Sequence, residues 1–184
     1  MKLVTYMDAG GSHVGVVSED GEGYIALGKA APELPDSIRG LLEMDDGLAK
    51  AQAATQGAAA DGKLAGLDLA PVIPEPPAIW CVGVNYKEHQ DETGRGPQDH
   101  PMLFLRIAQS LVAHGKPIIR PKVSENLDFE GELAVIIGKG GRHISKADAL
   151  GHVAGYACFN EGTIRDWQRH TAQYGPGKNF QGTG

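Results

Sequence analysis

Short apolar runs alternate with turns over the first 28 residues of the chain. The runs are LVTYM, HVGVVS and YIAL, and turns rich in Gly and Asp separate them. Runs of this length, interrupted in this way, are typical of short β-strands that fold back on one another. The pattern therefore predicts a small antiparallel sheet over residues 1–28.

A helical spacing of apolar residues replaces this pattern after residue 35. Asp36 or Ser37 stands in position to cap the first helix. A second helix, Ala-rich and weakly amphipathic, is expected from about Asp46, and we interpret the tract 51–60 as a surface helix. The apolar positions of the first helix are Ile38, Leu41 and Leu42.

Three prolines in IPEPPAIW (73–80) mark a boundary, and strand-like segments dominate beyond it. Two helices are expected among them, one near 87–92 and one over 162–171. The pattern predicts an α+β protein that is mostly β, with a small N-terminal α+β module at 1–75 and a larger domain at 76–184. The strand-like segments are IWCVGVNY, MLFLR, PIIRP, ELAVIIG and VAGYACFN.

Composition narrows the classes of partner and the compartment. The net charge of −6 argues against nucleic acid, and no apolar run approaches the ~20 residues of a membrane span. The N-terminus, MKLVTYMDAGG, lacks a signal-peptide core, so a cytoplasmic location is expected. Cys81 and Cys158 lie in apolar segments, which in a reducing compartment favours core packing over a disulfide.

The chain ends in the Gly-rich segment GPGKNFQGTG (175–184), with no closing strand or helix. A sheet that stops there leaves one edge unpaired. We therefore expect the larger domain to be incomplete.

Two glutamates open the otherwise apolar segment DFEGELAVIIG (128–138). Glu130 and Glu132 are two residues apart, so in a strand their carboxylates share one face and repel each other. Mg²⁺ or Mn²⁺ removes that repulsion and prefers oxygen ligands. Two solvent-facing acids on an edge strand are the alternative, and E-x-E by itself favours it. We interpret Asp128 as a turn residue rather than as a further ligand.

More polar candidates follow the segment VAGYACFN. Glu161 stands at the predicted start of a helix, with Arg165 and Gln168 at i+4 and i+7 on the same helical face. An ordinary ion pair between Glu161 and Arg165 is the simpler explanation when these residues are taken alone.

A histidine–glutamate pair and a lysine complete the candidates. His89 and Glu92 in NYKEHQDE form an i,i+3 pair, and a carboxylate beside an imidazole raises its basicity for proton transfer. A polar surface turn is the alternative for this common spacing. Lys178 in GPGKNF suits a fixed cation for an anionic substrate, although this signal is weak alone.

The order and spacing of these motifs resemble the fumarylacetoacetate hydrolase family from about residue 78 to the end. The matching segments are VGVNYKEHQDE (82–92), PMLFLR (101–106), SENLDFEGELAVIIGK (124–139), GYACFNEGTIRDWQ (155–168) and GPGKNF (175–180). The N-terminal 75 residues resemble the small variable module that precedes the catalytic domain in many members. The resemblance implies a mixed β-sandwich roll around a divalent metal ion, Mg²⁺ or Mn²⁺.

The resemblance also implies roles for individual residues. The E-x-E metal ligands of the family match Glu130 and Glu132, and its third carboxylate ligand matches Glu161. The family more often has aspartate at this third position, so the metal distance or the backbone must adjust to glutamate. The His–Glu dyad of the family matches His89 and Glu92. Its basic and polar substrate contacts match Arg165, Gln168, Lys178 and Arg106, the last at a position where many members carry lysine.

The implied activity is metal-dependent cleavage of a C–C bond in a small 2-oxo acid or 1,3-diketone, such as an acylpyruvate or fumarylacetoacetate. The metal would stabilise an enolate, Glu92 would orient His89 to activate water, and Lys178 would hold developing negative charge. Decarboxylation, isomerisation and hydration use the same enolate and stay open. An inactive fragment or a binding paralogue is a third alternative, and the resemblance implies a homodimer.

Overall fold

Sheets and short helices make up the fold, which is mixed α+β and mostly sheet, as predicted. The structure, a computed structural model, describes residues 1–94 and 99–184. The chain divides into two units, each built from three stretches. Unit 1 comprises Met1–Pro74, Val112–Lys116 and Glu132–Phe159, and unit 2 comprises Glu75–Leu111, Pro117–Gly131 and Asn160–Gly184. Proximity does not test independent folding, so the domain division at residue 75 stays a prediction.

Strands and helices are numbered here in chain order. The strands are β1 (Leu3–Asp8), β2 (Gly11–Val17), β3 (Gly23–Ala26), β4 (Gly62–Lys63), β5 (Ile79–Gly83), β6 (Met102–Arg106), β7 (Leu127–Asp128), β8 (Gly131–Ile137), β9 (Val153–Asn160) and β10 (Thr163–Ile164). The helices are α1 (Leu27–Ala30), α2 (Ile38–Glu43), α3 (Gly47–Thr55), α4 (Lys87–Thr93), α5 (Arg165–Gln168) and α6 (Gly175–Lys178). None of the helices in the described ranges is long and apolar enough to cross a membrane.

In unit 1, an antiparallel sheet has the strand order β1-β2-β3-β4. The predicted sheet over residues 1–28 is thus confirmed and gains a fourth strand. A tight turn joins β1 to β2, where the Asp8 carboxylate accepts a hydrogen bond from the backbone of Gly10 at 2.6 Å. The inner face of β2 and β3 buries Val14, Val16 and Ile25.

The apolar core of unit 1 lies between this sheet and helices α1 to α3. The hydroxyl of Ser37 caps α2 by accepting a hydrogen bond from the Gly40 backbone at 3.0 Å, as one of the two predicted caps. Helix α3 follows Asp46 as expected, but it ends at Thr55, so the predicted surface helix over 51–60 is wrong beyond that residue. The core comprises Val14, Leu27, Ala31, Leu34, Ile38, Leu41 and Ala51.

Strands β8 and β9 pair with each other as a separate two-stranded sheet. Their identification as strands confirms the prediction for ELAVIIG and VAGYACFN. Cys158 on β9 is exposed, so its assignment to core packing is wrong, whereas Cys81 on β5 is half-buried; both thiols are free. Alternation explains the difference, because Cys158 shares its strand face with the exposed Tyr156.

Unit 2 contains two antiparallel strand pairs, β5 with β6 and β7 with β10. The predicted helix near 87–92 is confirmed as α4. The segment PIIRP (117–121) forms no strand, because a proline at each end cannot donate a ladder hydrogen bond. The predicted helix over 162–171 is also wrong at its start, because Thr163 and Ile164 pair with β7 and leave only α5 helical.

Candidate metal and catalytic site

Backbone pairing in unit 2 brings two glutamates face to face. Strand β10 pairs with β7, and Thr163 lies opposite Asp128. Just beyond this pair, the backbone of Glu161 donates a hydrogen bond to the carbonyl of Glu130 at 2.8 Å. The side-chain oxygen of Asn160 accepts from the Glu130 backbone at 3.1 Å. Residues 32 positions apart in sequence, or nearly so, thereby share one site because a short ladder holds their backbones together.

Three carboxylates meet at this point. Glu130, Glu132 and Glu161 each offer an oxygen, and these oxygens lie within 4.8 Å of one another. Glu132 is only two residues from Glu130, at the position where the chain leaves unit 2. Glu161 is buried, while Glu130 and Glu132 are half-buried. The structure therefore groups all three predicted metal ligands.

Lys178 lies inside this group of acids. Its Nζ atom is 2.7 Å from Oε2 of Glu130 and 3.2 Å from Oε2 of Glu161, and the residue is only 2% exposed. Gly177 makes this position possible, because a Cβ atom there would lie 2.4 Å from the backbone nitrogen of Gln168. The close approach of α6 to the end of α5 thus requires glycine immediately before the lysine.

Arg165 supplies a second cation to Glu130. Its Nη1 atom is 2.6 Å from Oε1 of Glu130, and its Nη2 atom is 2.9 Å from Oδ2 of Asp128. Nη1 also donates to Oε1 of Gln168 at 3.1 Å. Glu161 lies outside α5, so the predicted helical face of Glu161, Arg165 and Gln168 is wrong. A strand-to-helix junction, rather than one helix, brings these residues together.

Arg106 is buried behind Glu161. Its guanidinium donates to the Ser110 hydroxyl at 3.2 Å, to the Gly162 carbonyl at 3.1 Å and to the Thr183 hydroxyl at 3.1 Å. Nη1 also lies 3.7 Å from Oε1 of Glu161. These contacts favour positioning of the Glu161 segment, and the predicted contact of Arg106 with substrate stays a prediction.

The charges of this group shift the pKa of its members. Burial raises the pKa of Glu130, but the hydrogen bond and charge of Lys178 outweigh it, and Arg165 adds to the lowering. The net direction is downward, so Glu130 is held ionised. Burial raises the pKa of the Cys81 thiol, and the charge of Glu161 raises it further, which keeps that thiol neutral.

The His89–Glu92 pair lies on α4 and is open to solvent. Nδ1 of His89 is 3.9 Å from Oε2 of Glu92, and their side chains are 54% and 77% exposed. Helical i,i+3 spacing accounts for this proximity. The structure thus forms the predicted dyad, and its role in proton transfer stays a prediction.

The acid group fits a divalent cation. The donors are three carboxylates, which Mg²⁺ and Mn²⁺ favour. Oε1 of Glu161 is buried and accepts no hydrogen bond from any described residue. A buried oxygen without a hydrogen-bond partner is costly, and a bound cation would satisfy it.

Several supporting residues escaped the sequence analysis. Thr163 donates from its hydroxyl to Oε1 of Glu130 at 2.9 Å, and Phe104 places its ring centroid 5.2 Å from Nζ of Lys178. One signal existed for Phe104, because it shares a strand face with Arg106 in MLFLR. Thr163 gave none, since a two-residue strand is too short to show a period.

Comparison with known proteins supports this geometry. The family model described as fumarylacetoacetate (FAA) hydrolase C-terminal matches residues 78–184. Oxaloacetate tautomerase fahd2, mitochondrial, from Xenopus laevis is 34% identical over 185 residues, which cover 98% of this chain and 58% of the relative. The chain thus spans less than two thirds of the length of this relative.

Two solved structures are similar to the chain. Fumarylacetoacetate hydrolase from Exiguobacterium antarcticum is 29% identical with a TM-score of 0.72, and the match covers 100% of this chain and 63% of that one. Maleylpyruvate hydrolase from Sphingobium sp. SYK-6, in complex with manganese(II) ion and pyruvate, is 27% identical with a TM-score of 0.70; the match covers 90% of this chain and 60% of that one. With its family match over more than half of its length, the chain belongs to the fumarylacetoacetate hydrolase family.

Proposed function

We propose that this chain carries the metal-holding part of a hydrolase that cleaves a C–C bond in a small 2-oxo acid. The observation that carries the proposal is the group formed by Glu130, Glu132 and Glu161, with one buried oxygen of Glu161 lacking a hydrogen-bond partner. Three carboxylates within 4.8 Å of one another are costly without a neutralising cation.

The cation proposed for this group is Mg²⁺ or Mn²⁺. An oxygen-only donor set suits both ions. The similar maleylpyruvate hydrolase structure contains manganese and pyruvate, which supports a divalent cation together with a 2-oxo acid. When bound, such a cation supplies Lewis acidity that stabilises negative charge on the oxygens of the substrate.

The proposed roles of the protein residues follow from their chemistry. His89 takes a proton from water, and Glu92 orients its ring. The ammonium of Lys178 stabilises negative charge that develops on the substrate. Arg165 and Gln168, which contact each other beside Glu130, supply further polar contacts to the substrate carboxylate.

Tautomerisation is the second candidate function. The Xenopus laevis relative, matched over 98% of this chain, is named an oxaloacetate tautomerase. The same group of acids with a base suits either reaction, because both stabilise negative charge next to a carbonyl. A mitochondrial location is printed for that relative, so the cytoplasmic location expected for this chain stays a prediction, as does the homodimer.

Calorimetric titration with Mn²⁺ tests the metal site. We expect the wild-type chain to bind Mn²⁺ and Glu132→Gln to lose most of that affinity, because an amide donates a neutral oxygen in place of a charged one. Glu125→Gln is the matched control, since Glu125 is an exposed acid six or fewer positions away. A folded wild-type chain that binds no Mn²⁺ would overturn the proposal.

Turnover of acylpyruvates and oxaloacetate in the presence of Mg²⁺ separates the two reactions. We expect His89→Ala to slow turnover by about 100-fold or more while Mn²⁺ binding survives. His114→Ala, a change at another exposed histidine, is the control. Loss of metal binding in His89→Ala would contradict the separate roles of base and ligand. Interconversion of the oxaloacetate tautomers without C–C cleavage would favour the second function.

A further inference from the structure

The ammonium of Lys178 occupies an unusual position for a lysine. It is buried and contacts Glu130 at 2.7 Å and Glu161 at 3.2 Å, through one oxygen of each. The same two glutamates belong to the group that fits a divalent cation. Lys178 and a metal ion would therefore neutralise the same charges.

Two cations beside the same carboxylates repel each other. The cost of burying Glu130 and Glu161 together is offset in this structure by the ammonium of Lys178. A divalent cation on these carboxylates would take over that role with twice the charge. The ammonium would then gain less from the acids and would be repelled by the new ion.

We propose that Lys178 is an internal counter-cation, which neutralises Glu130 and Glu161 until a divalent cation binds them and then turns its ammonium towards the anionic substrate. This inference rests on the proposed function. It assigns an order to binding: the cation comes first, and its arrival frees the lysine for the substrate.

The surroundings of Lys178 allow such a movement of the side chain alone. The Phe104 ring lies under the ammonium, with 5.2 Å between Nζ and the ring centroid. An aromatic face attracts an ammonium ion, so Nζ keeps a favourable neighbour when it leaves an acid. The backbone stays in place because Gly177 is in tight contact with Ile164 and Gln168.

Calorimetric titration of Lys178→Met with Mn²⁺ at about pH 8 tests the proposal. Methionine keeps the length of the side chain and removes its charge. We expect the variant to bind Mn²⁺ more tightly than wild type, by about tenfold or more, because the ion no longer competes with an ammonium. We also expect a lower melting temperature in EDTA and a larger rise on addition of Mn²⁺. The control is Lys116→Met, since Lys116 pairs with Asp68 at 2.6 Å in unit 1.

The outcomes separate this inference from the proposed function. Equal Mn²⁺ affinity in wild type and Lys178→Met would overturn the counter-cation and leave the metal site intact. No Mn²⁺ binding by either folded protein would overturn both. If Lys178→Met does not fold, the ¹⁵N spectrum of the lysine ammonium groups in the wild-type chain decides. We expect the Lys178 signal to shift when Mg²⁺ is added, and an unchanged signal at saturating Mg²⁺ would overturn the inference.

Discussion

The two units of this chain bury different kinds of side chain. Unit 1 has an apolar core in which Leu27 and Leu41 are almost fully buried. Unit 2 buries Arg106, Glu161 and Lys178, with Thr163 and Ser110 beside them. The first interior gains stability from removing apolar surface from water, whereas the second depends on pairing every charge that it buries.

This difference shows how the two interiors respond to change. An apolar core tolerates exchange of similar side chains and loses stability in proportion to the atoms removed. A charged interior fails when one partner is removed, because the remaining charge is left buried. Unit 2 therefore accepts this weakness in return for a group of acids, and removal of one charge should be the most damaging change in the chain.

The largest expected effect is that of Arg106→Met. This change removes the cation behind Glu161 and the donors to Gly162 and Thr183. We expect the free energy of unfolding to fall by about 3–5 kcal/mol, measured by urea denaturation. Arg106→Lys keeps a charge but not the planar guanidinium, so it should recover only part of this loss.

Arg39→Met is the matched control for Arg106→Met. Arg39 forms an exposed i,i+4 pair with Glu43 at 2.8 Å, and its loss should cost at most about 0.5 kcal/mol. A loss below about 1 kcal/mol for Arg106→Met would contradict the view that buried pairing holds unit 2 together.

The next largest effect is expected in the apolar core. Leu41→Ala should lower the free energy of unfolding by about 3 kcal/mol, because Leu41 is 1% exposed and its removal leaves a cavity. We expect the same loss with and without Mn²⁺, measured by urea denaturation. Leu150→Ala, at an exposed leucine, should change stability by less than about 0.5 kcal/mol. A loss for Leu41→Ala that disappears in Mn²⁺ would break the contrast between the units.

The smallest effect is a pH dependence in unit 1. The His13 ring lies between Oδ2 of Asp36, 2.6 Å from Nδ1, and Oδ1 of Asp8, 3.0 Å from Nε2. The hydrogen bond to Asp36 raises the pKa of His13, partial burial opposes this, and Asp8 adds to the rise. Because the folded pKa exceeds the unfolded one, the stabilisation is complete below about pH 6.5 and is lost as pH rises through the raised pKa.

His13→Gln should therefore flatten the fall in melting temperature between about pH 6 and pH 8. The charged or titratable groups that face His13 are Asp8, Asp36 and Tyr6, and none is altered by this change. His114→Gln, at an exposed histidine, is the control. An unchanged pH profile in His13→Gln would show that the Asp8 and Asp36 carboxylates do not stabilise the protonated ring.

Local pattern predicted the regular elements whose residues share one periodicity. The sheet at the N-terminus, the Ser37 cap and the strands β8 and β9 follow this rule. The prediction failed where tertiary pairing overrode a local preference. Thr163 and Ile164 read as part of a helix, yet their backbones pair with β7.

For the candidate site, the motifs identified the acids but not their partners. The E-x-E spacing placed Glu130 beside Glu132, and Glu161 was named from its position after a strand. Nothing local indicated that Lys178 would lie between Glu130 and Glu161, because that contact joins residues 48 and 17 positions apart.

The sequence by itself determined the residue types, the short-range spacing and the family to which they belong. Chain connectivity alone keeps Glu130 near Glu132 and His89 near Glu92. Tertiary structure decided which charges meet, because burial and long-range backbone pairing set the distances between groups that are remote in sequence. The acids thus follow from the motif, whereas the lysine that neutralises them in this structure follows only from the fold.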